Sequence, residues 1–153
     1  MSSTTDRAIV SSRVVNFPRE LVFRAWTEPE HLQQWWGPKG FTNTFYEFDL
    51  QPGGFWRFTM HGPDGKNYEN ESCFTEIETP ERIVFDHLSA PVFQVLATFD
   101  ESGDSHDKTL ITYLMLFETP EIRDKIASYA IPANEENFDR LEVELEKMQK
   151  TGI

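Results

Sequence analysis

The side chains able to do acid–base or metal chemistry near neutral pH are four histidines, His31, His61, His87 and His106, and a single cysteine, Cys73. No histidine falls at a metal-binding spacing such as His-Glu-x-x-His, and a lone cysteine can form neither an internal disulfide nor a multi-cysteine zinc site. No metal and no cofactor are expected, and Cys73 reads as a small buried apolar residue. His31 belongs to a helical turn and His106 to an acidic loop, so both are expected at the solvated surface. His61 and His87 fall in strand-like segments, where the face pattern sends His61 outward and His87 inward. His87 then has one candidate partner, Glu76, diagonally across a neighbouring strand at about 7–8 Å between backbones, within side-chain reach. A buried carboxyl group beside an imidazole can exchange protons near neutrality, which makes Glu76 and His87 the candidate catalytic residues. The alternative is a hydrogen-bonded structural pair, or a slipped register. The chain carries no Gly-x-Ser-x-Gly elbow, phosphate loop or dinucleotide fingerprint.

Those residues need a frame. Residues 8–16 read as a strand, ended by Pro18, whose fixed φ suits a helix start. Residues 18–26 place Leu21, Val22, Ala25 and Trp26 on one helical face, and Thr27 is a candidate cap for a second short helix opening near Pro29. Trp35-Trp36-Gly37-Pro38 stops it. Strand candidates follow at 42–50, 54–61, 66–77, 82–88, 92–100 and 108–117, with turn chemistry at Gln51-Pro52-Gly53-Gly54, Gly62-Pro63-Asp64-Gly65-Lys66 and Thr79-Pro80-Glu81-Arg82. Strands joined by tight turns make an antiparallel meander. Pro132 is expected to break the C-terminal helical pattern into a short helix at 120–130 and a long one at 134–150. In the long one Phe138, Leu141, Leu145 and Met148 form one apolar stripe. The fold class is therefore α+β, with a seven-stranded antiparallel sheet that one long helix can nearly cross.

Turn lengths permit a face assignment. Trp56, Phe58 and Met60 lie on one side of their strand, and a three-residue loop at Pro63-Asp64-Gly65 sets them opposite Ser72, Asn70 and Tyr68. Phe74 and Glu76 continue that face. A four-residue turn at Thr79–Arg82 would bring Phe85 opposite Glu76 and His87 opposite Phe74. Polar groups set among aromatics suit a small-molecule pocket; a solid core with polar groups at its rim is the alternative. The Trp35-Trp36-Gly37-Pro38 cluster reads either as a lid over the pocket or as a tryptophan plugging the core, with one tryptophan for each a third possibility.

Composition excludes whole classes. With 14 basic against 26 acidic residues the net charge is −12, a field that repels phosphate backbones and anionic membranes. Part of the acid, Glu135, Glu136, Glu142, Glu144, Glu146 and the stretch from Asp100 to Asp107, sits where it costs little and aids solubility. Thirteen Phe and four Trp are too much apolar surface for a disordered chain. The length suits a single domain spanning 1–153, ordered over about 8–149. No signal-peptide run or membrane span is evident, so a cytoplasmic location is the default expectation.

The segments FPRELVFRAWTEPEHLQQWWGPKGFT (17–42), DLQPGGFWRFTM (49–60) and FTEIETPERIVF (74–85) carry a resemblance. Over roughly residues 8–149 the chain resembles the heat-shock-protein-90 ATPase activator-like family of the START-like (Bet v 1-like, SRPBCC) superfamily. The resemblance implies a helix-grip fold: a seven-stranded sheet gripping the C-terminal helix over a deep cavity that takes hydrophobic compounds. Where the family often has Gly-Trp before the Leu-Asp-Arg-Leu stretch, this chain has Ala133-Asn134 before Phe138-Asp139-Arg140-Leu141. That departure implies a larger or more polar end to the cavity. No counterpart of the additional N-terminal domain of the eukaryotic co-chaperones is expected, and chaperone activation does not follow from the resemblance.

The first reading is a module binding a small hydrophobic or aromatic molecule, as a monomer or weak homodimer. Expected ligand contacts are Trp26, Trp35, Trp36, Trp56, Phe58, Met60, Phe74, Glu76, Phe85, His87, Phe138, Leu141 and Leu145. The second is a cyclase- or hydrolase-like enzyme using Glu76 and His87 in the same cavity. The third is a co-chaperone-like protein-interaction domain with a filled core.

Overall fold

Large apolar residues recur at every second position through the middle of the chain, and a strand with that period buries one face and solvates the other. The result, in a computed structural model describing residues 4–103 and 106–151, is a seven-stranded antiparallel sheet closed on one side by helices. The strands are β1 (Ala8–Val15), β2 (Thr42–Phe48), β3 (Phe55–His61), β4 (Asn67–Glu78), β5 (Arg82–His87), β6 (Phe93–Ser102) and β7 (Lys108–Phe117), in spatial order β1-β7-β6-β5-β4-β3-β2. Two short helices, α1 (Arg19–Thr27) and α2 (Pro29–Trp35), follow β1, and a long helix α3 (Pro120–Thr151) closes the chain. This is the expected α+β helix-grip architecture. Asp104 and Ser105 of the acidic stretch lie outside the described residues.

The glycine turn after β3 sets its register as expected. Gly62 and Lys66 are bridged across the loop, and Met60, Phe58 and Trp56 face Tyr68, Asn70 and Ser72. The next hairpin differs. Its loop holds three residues, so Glu78 pairs with Arg82, and a bulge between Phe74 and Glu76 shifts the pairing again. Phe74 therefore faces Phe85 and Ser72 faces His87, while Glu76 faces Val84. An extra residue in one strand turns every side chain beyond it to the other face. Glu76 consequently leaves the inner wall.

Pro132 does not divide the last helix. α3 runs through it for 32 residues, about 48 Å at the helical rise. Ala127 and Ala130, one turn before the proline, are buried, and such tertiary packing can outweigh one lost backbone hydrogen bond. The apolar stripe lies where its period placed it: Phe138, Leu141, Leu145 and Met148 are all buried. Thr27 does not cap α2. Its hydroxyl donates back to the Phe23 carbonyl within α1, and Pro29 opens α2 with no side-chain cap.

Candidate functional site

The two halves of α3 do different work. Its C-terminal half is tied to α2 through Glu144 to His31 and Arg140 to Gln34, and its Leu141 and Leu145 are completely buried. Neither α1 nor α2 lines the space under its N-terminal half. Between that half and the sheet lies a cavity of about 430 Å³, within the usual range for small-molecule sites. Its sheet wall includes Trp56, Phe58, Met60, Asn70, Ser72, Phe85, His87, Phe93, Tyr113 and Met115; its helix wall includes Lys125, Ile126, Tyr129, Ala130, Ala133, Asn134 and Asn137. Trp36, Gly37 and Pro38 close one end. A shallower depression at the mouth shares Pro38, Met60, Asn70, His87, Pro91 and Tyr129 with it.

The adjacent tryptophans divide the labour. Trp35 is 1% exposed and donates its indole N–H to the Ala25 carbonyl at 3.0 Å, so it plugs the core between α1 and α2. Trp36 reaches the cavity and packs on Trp56 at 5.0 Å between ring centroids, with Trp26 and Tyr113 at 5.9 and 6.3 Å. The segment carrying it is clasped, not loose. Arg140 donates to five backbone carbonyls: Gly37 at 2.7 Å, Pro38 and Phe41 at 2.9 Å, Gln34 at 3.1 Å and Trp36 at 3.4 Å. Asn137 accepts from the Gly37 N–H at 3.0 Å and donates to the Trp35 carbonyl at 3.1 Å. Gly37 has φ +96°, a backbone conformation that calls for glycine, and it lies against the flexible end of Met60.

His87 faces inward and stacks on Phe93 with centroids 4.5 Å apart. Its Nδ1 lies 3.0 Å from the Pro91 carbonyl and its Nε2 lies 2.8 Å from the Asn70 side-chain oxygen. Burial pushes the imidazole below its usual pKa, opposed by the Pro91 and Ser89 backbone. Its expected partner is elsewhere: Glu76 pairs with Arg82 on the outer face, where Glu78 is also held at 2.7 Å from the same guanidinium. A hydrogen bond with Glu78, and then the Arg82 guanidinium, keep Glu76 below the ordinary carboxylate range. The two residues form no acid–base pair, because the β4 bulge separates them by a sheet face.

The remaining expected contacts sort by depth. Trp36, Trp56, Phe58, Met60, Phe85 and His87 line the cavity. Trp26, Trp35 and Phe138 border only a neighbouring void of about 10 Å³. Phe74 is sealed in the aromatic cluster at 2% exposure, and Leu141 and Leu145 are core residues away from the cavity. Sequence reasoning missed Tyr113, Met115 and Phe93, although the alternation of β6 and β7 puts each on the buried face. It also missed Ile126, Ala130, Ala133 and Asn137, whose spacing of three to four residues marks one helix face. Asn134 does make that end of the cavity polar, donating to the Ser11 hydroxyl at 3.1 Å.

Three other polar residues depart from expectation. His31 is not a solvated histidine: its Nδ1 lies 2.8 Å from a carboxylate oxygen of Glu144, which is 8% exposed and ties α3 to α2. Glu144 is thus not a cheaply solvated acid. Cys73 points to the outer face opposite Asp86 and is only half-buried. His61 on the outer face and His106 beside Glu101 lie where they were expected. Among the described residues the one group of carboxylates and histidine close enough to share an ion is Glu28, Glu30 and His31, outside the cavity.

The fold and cavity define the class: a helix-grip protein of the START-like type, whose long helix roofs an internal chamber. The profile of the family described as Activator of Hsp90 ATPase homolog 1-like protein matches residues 16–146. The chain belongs to that family. Similar solved structures include a protein from Nitrosomonas europaea, with TM-score 0.85 and 23% identity, covering 95% of this chain and 97% of that one. A protein from Arthrobacter aurescens matches with TM-score 0.84 and 22% identity, over 96% of this chain and 90% of that one. An AHSA1 protein from Silicibacter pomeroyi matches with TM-score 0.73 and 18% identity, over 91% and 97% respectively. At these identities the likeness concerns the fold. No curated protein matches the chain.

Proposed function

We propose that the protein binds a small hydrophobic or aromatic molecule in the chamber between the sheet and the N-terminal half of α3. The observation that carries this reading is a cavity of about 430 Å³ walled largely by aromatic and aliphatic side chains and open to a mouth beside Tyr129. Burying ~300 Å² of apolar ligand would contribute roughly 7 kcal/mol before association costs, which sets micromolar affinity as the ceiling for a simple apolar probe. Catalysis has less support, since His87 is held against Pro91 and Asn70, not against a carboxylate of the cavity or of its mouth, where Asp64, Glu69 and Glu136 lie. The test is titration with an environment-sensitive naphthalene dye, together with native mass spectrometry of freshly purified protein. Saturable one-to-one binding, or a co-purified small molecule, supports the proposal; neither at accessible concentrations contradicts it.

A protein-interaction role is favoured by a different surface. Val10, Leu114, Leu96 and Val84 stand in one cross-strand row on the outer face, ending at edge strand β1, where Val10 and Val14 are 57% and 49% exposed. Exposed apolar side chains at the rim of a sheet favour association. Sedimentation of wild type and Val10→Lys tests it for self-association: a concentration-dependent dimer lost in the variant supports the role, and a monomer throughout removes it.

A further inference from the structure

Several hydrogen-bonding groups of the cavity wall are engaged, and Tyr129 and Lys125 are exposed to solvent. Asn137 is bonded at both ends of its amide, His87 lies against Asn70 and Pro91, and the Asn134 amino group reaches Ser11. The Trp56 indole N–H and the Ser72 hydroxyl lack partners but are sealed away from a water-sized sphere. Tyr113 is different. It is 8% exposed, lines both the cavity and the small void beside it, and its hydroxyl makes no hydrogen bond among the described residues. Tyr113 sits near the middle of β7, and its ring is flanked by Trp26 and Trp36 at 5.9 and 6.3 Å. A rigidly packed phenol with a free O–H is a poor core residue, because a buried donor without an acceptor is destabilising. It is a good anchor for a ligand.

Resting on the binding role proposed above, we infer that Tyr113 donates the orienting hydrogen bond to the occupant, and that the occupant is an apolar compound bearing a neutral carbonyl-type oxygen. Neutrality follows from the wall. It holds no carboxylate, and its one permanently charged side chain, Lys125, is exposed on the helix side. An ionised oxygen beside Tyr113 would lose its hydration without gaining a cation. The phenol itself stays protonated, since burial pushes its pKa up, and so it remains a donor throughout the physiological range.

The test is a matched series on one ring system: 2-acetonaphthone, 2-methylnaphthalene and 2-naphthoate, titrated into wild type and Tyr113→Phe. The ketone should bind wild type about three- to tenfold more tightly than the methyl compound, the ratio expected of one neutral hydrogen bond. In Tyr113→Phe that ratio should fall to near one, with the variant's far-ultraviolet circular dichroism and thermal melt as the control for folding. The carbonyl stretch of the bound ketone should lie at lower frequency in wild type than in the variant. Two results overturn the inference while leaving the binding role intact: a ketone preference that survives Tyr113→Phe, as when the hydroxyl serves only a water in the small void, or 2-naphthoate as the tightest of the three. Failure of every compound to bind contradicts the binding role itself.

Discussion

Replacing Arg140 with Met should loosen the mouth of the cavity and destabilise the fold together, because one guanidinium holds five carbonyls of the α2 end and the following segment. Methionine keeps most of the side-chain volume and removes every donor. A hydrogen bond from a charged group contributes about 1.5–3 kcal/mol, but such contributions within one cluster are not additive. Several of these carbonyls lie near the surface and would regain water, and burial already penalises the folded cation enough to lower its pKa. A net loss equal to one or two such bonds, about 3 kcal/mol, is the reasoned value. For a domain of this size that is a fall in Tm of about 6–12 °C. Arg140→Lys should fall between, since a single ammonium cannot span five acceptors. Thermal melts followed by tryptophan fluorescence give the stability, and stopped-flow displacement of a bound naphthalene dye gives its release rate, which should rise as Trp36 loses its fixed position. A Tm within about 2 °C of wild type, with unchanged release, would refute the clasp.

Two other perturbations follow from the cavity and its histidine. Asn134→Trp restores the bulk that the family often carries there and should fill the polar end, weakening dye binding by at least about tenfold while the protein still folds; unchanged affinity would place the dye elsewhere. His87 is held below its usual pKa, so the unfolded chain takes up a proton first on acidification. Its contribution to stability is therefore complete above about pH 6.5, declines as pH falls toward the lowered folded value and levels off below it. Urea midpoints across pH 7.5 to 5 should show that decline in wild type and a shallower one in His87→Gln; parallel profiles would remove His87 as its source.

The elements were legible because their signals are local. Alternation marked the strands, the Pro63-Asp64-Gly65 loop set the β3–β4 register, and the Phe138-Leu141-Leu145-Met148 period placed the buried stripe. Glu76 was misplaced because a bulge leaves no residue-type signature in Phe74-Thr75-Glu76, and a one-residue shift reverses the face. Pro132 reads as a break in the sequence because propensity does not include the packing that carries α3 through it. The cavity lay under the other half of α3 from the one the apolar stripe suggested. A stripe of large apolar residues marks where a helix is covered, whereas a chamber is bordered by smaller and more polar ones, here Ala130, Ala133, Asn134 and Asn137. Such residues look like an ordinary polar helix face until the sheet is set opposite them.

The central claim is that an apolar ligand occupies this chamber and no other surface. Intermolecular nuclear Overhauser effects from bound 2-acetonaphthone to assigned methyl groups test it most directly. Contacts are expected to Met60, Met115, Ile126 and Ala130, which line the chamber from both sides. Contacts confined to Val10, Val14 and Leu114 on the outer face, or none at saturation, would contradict it.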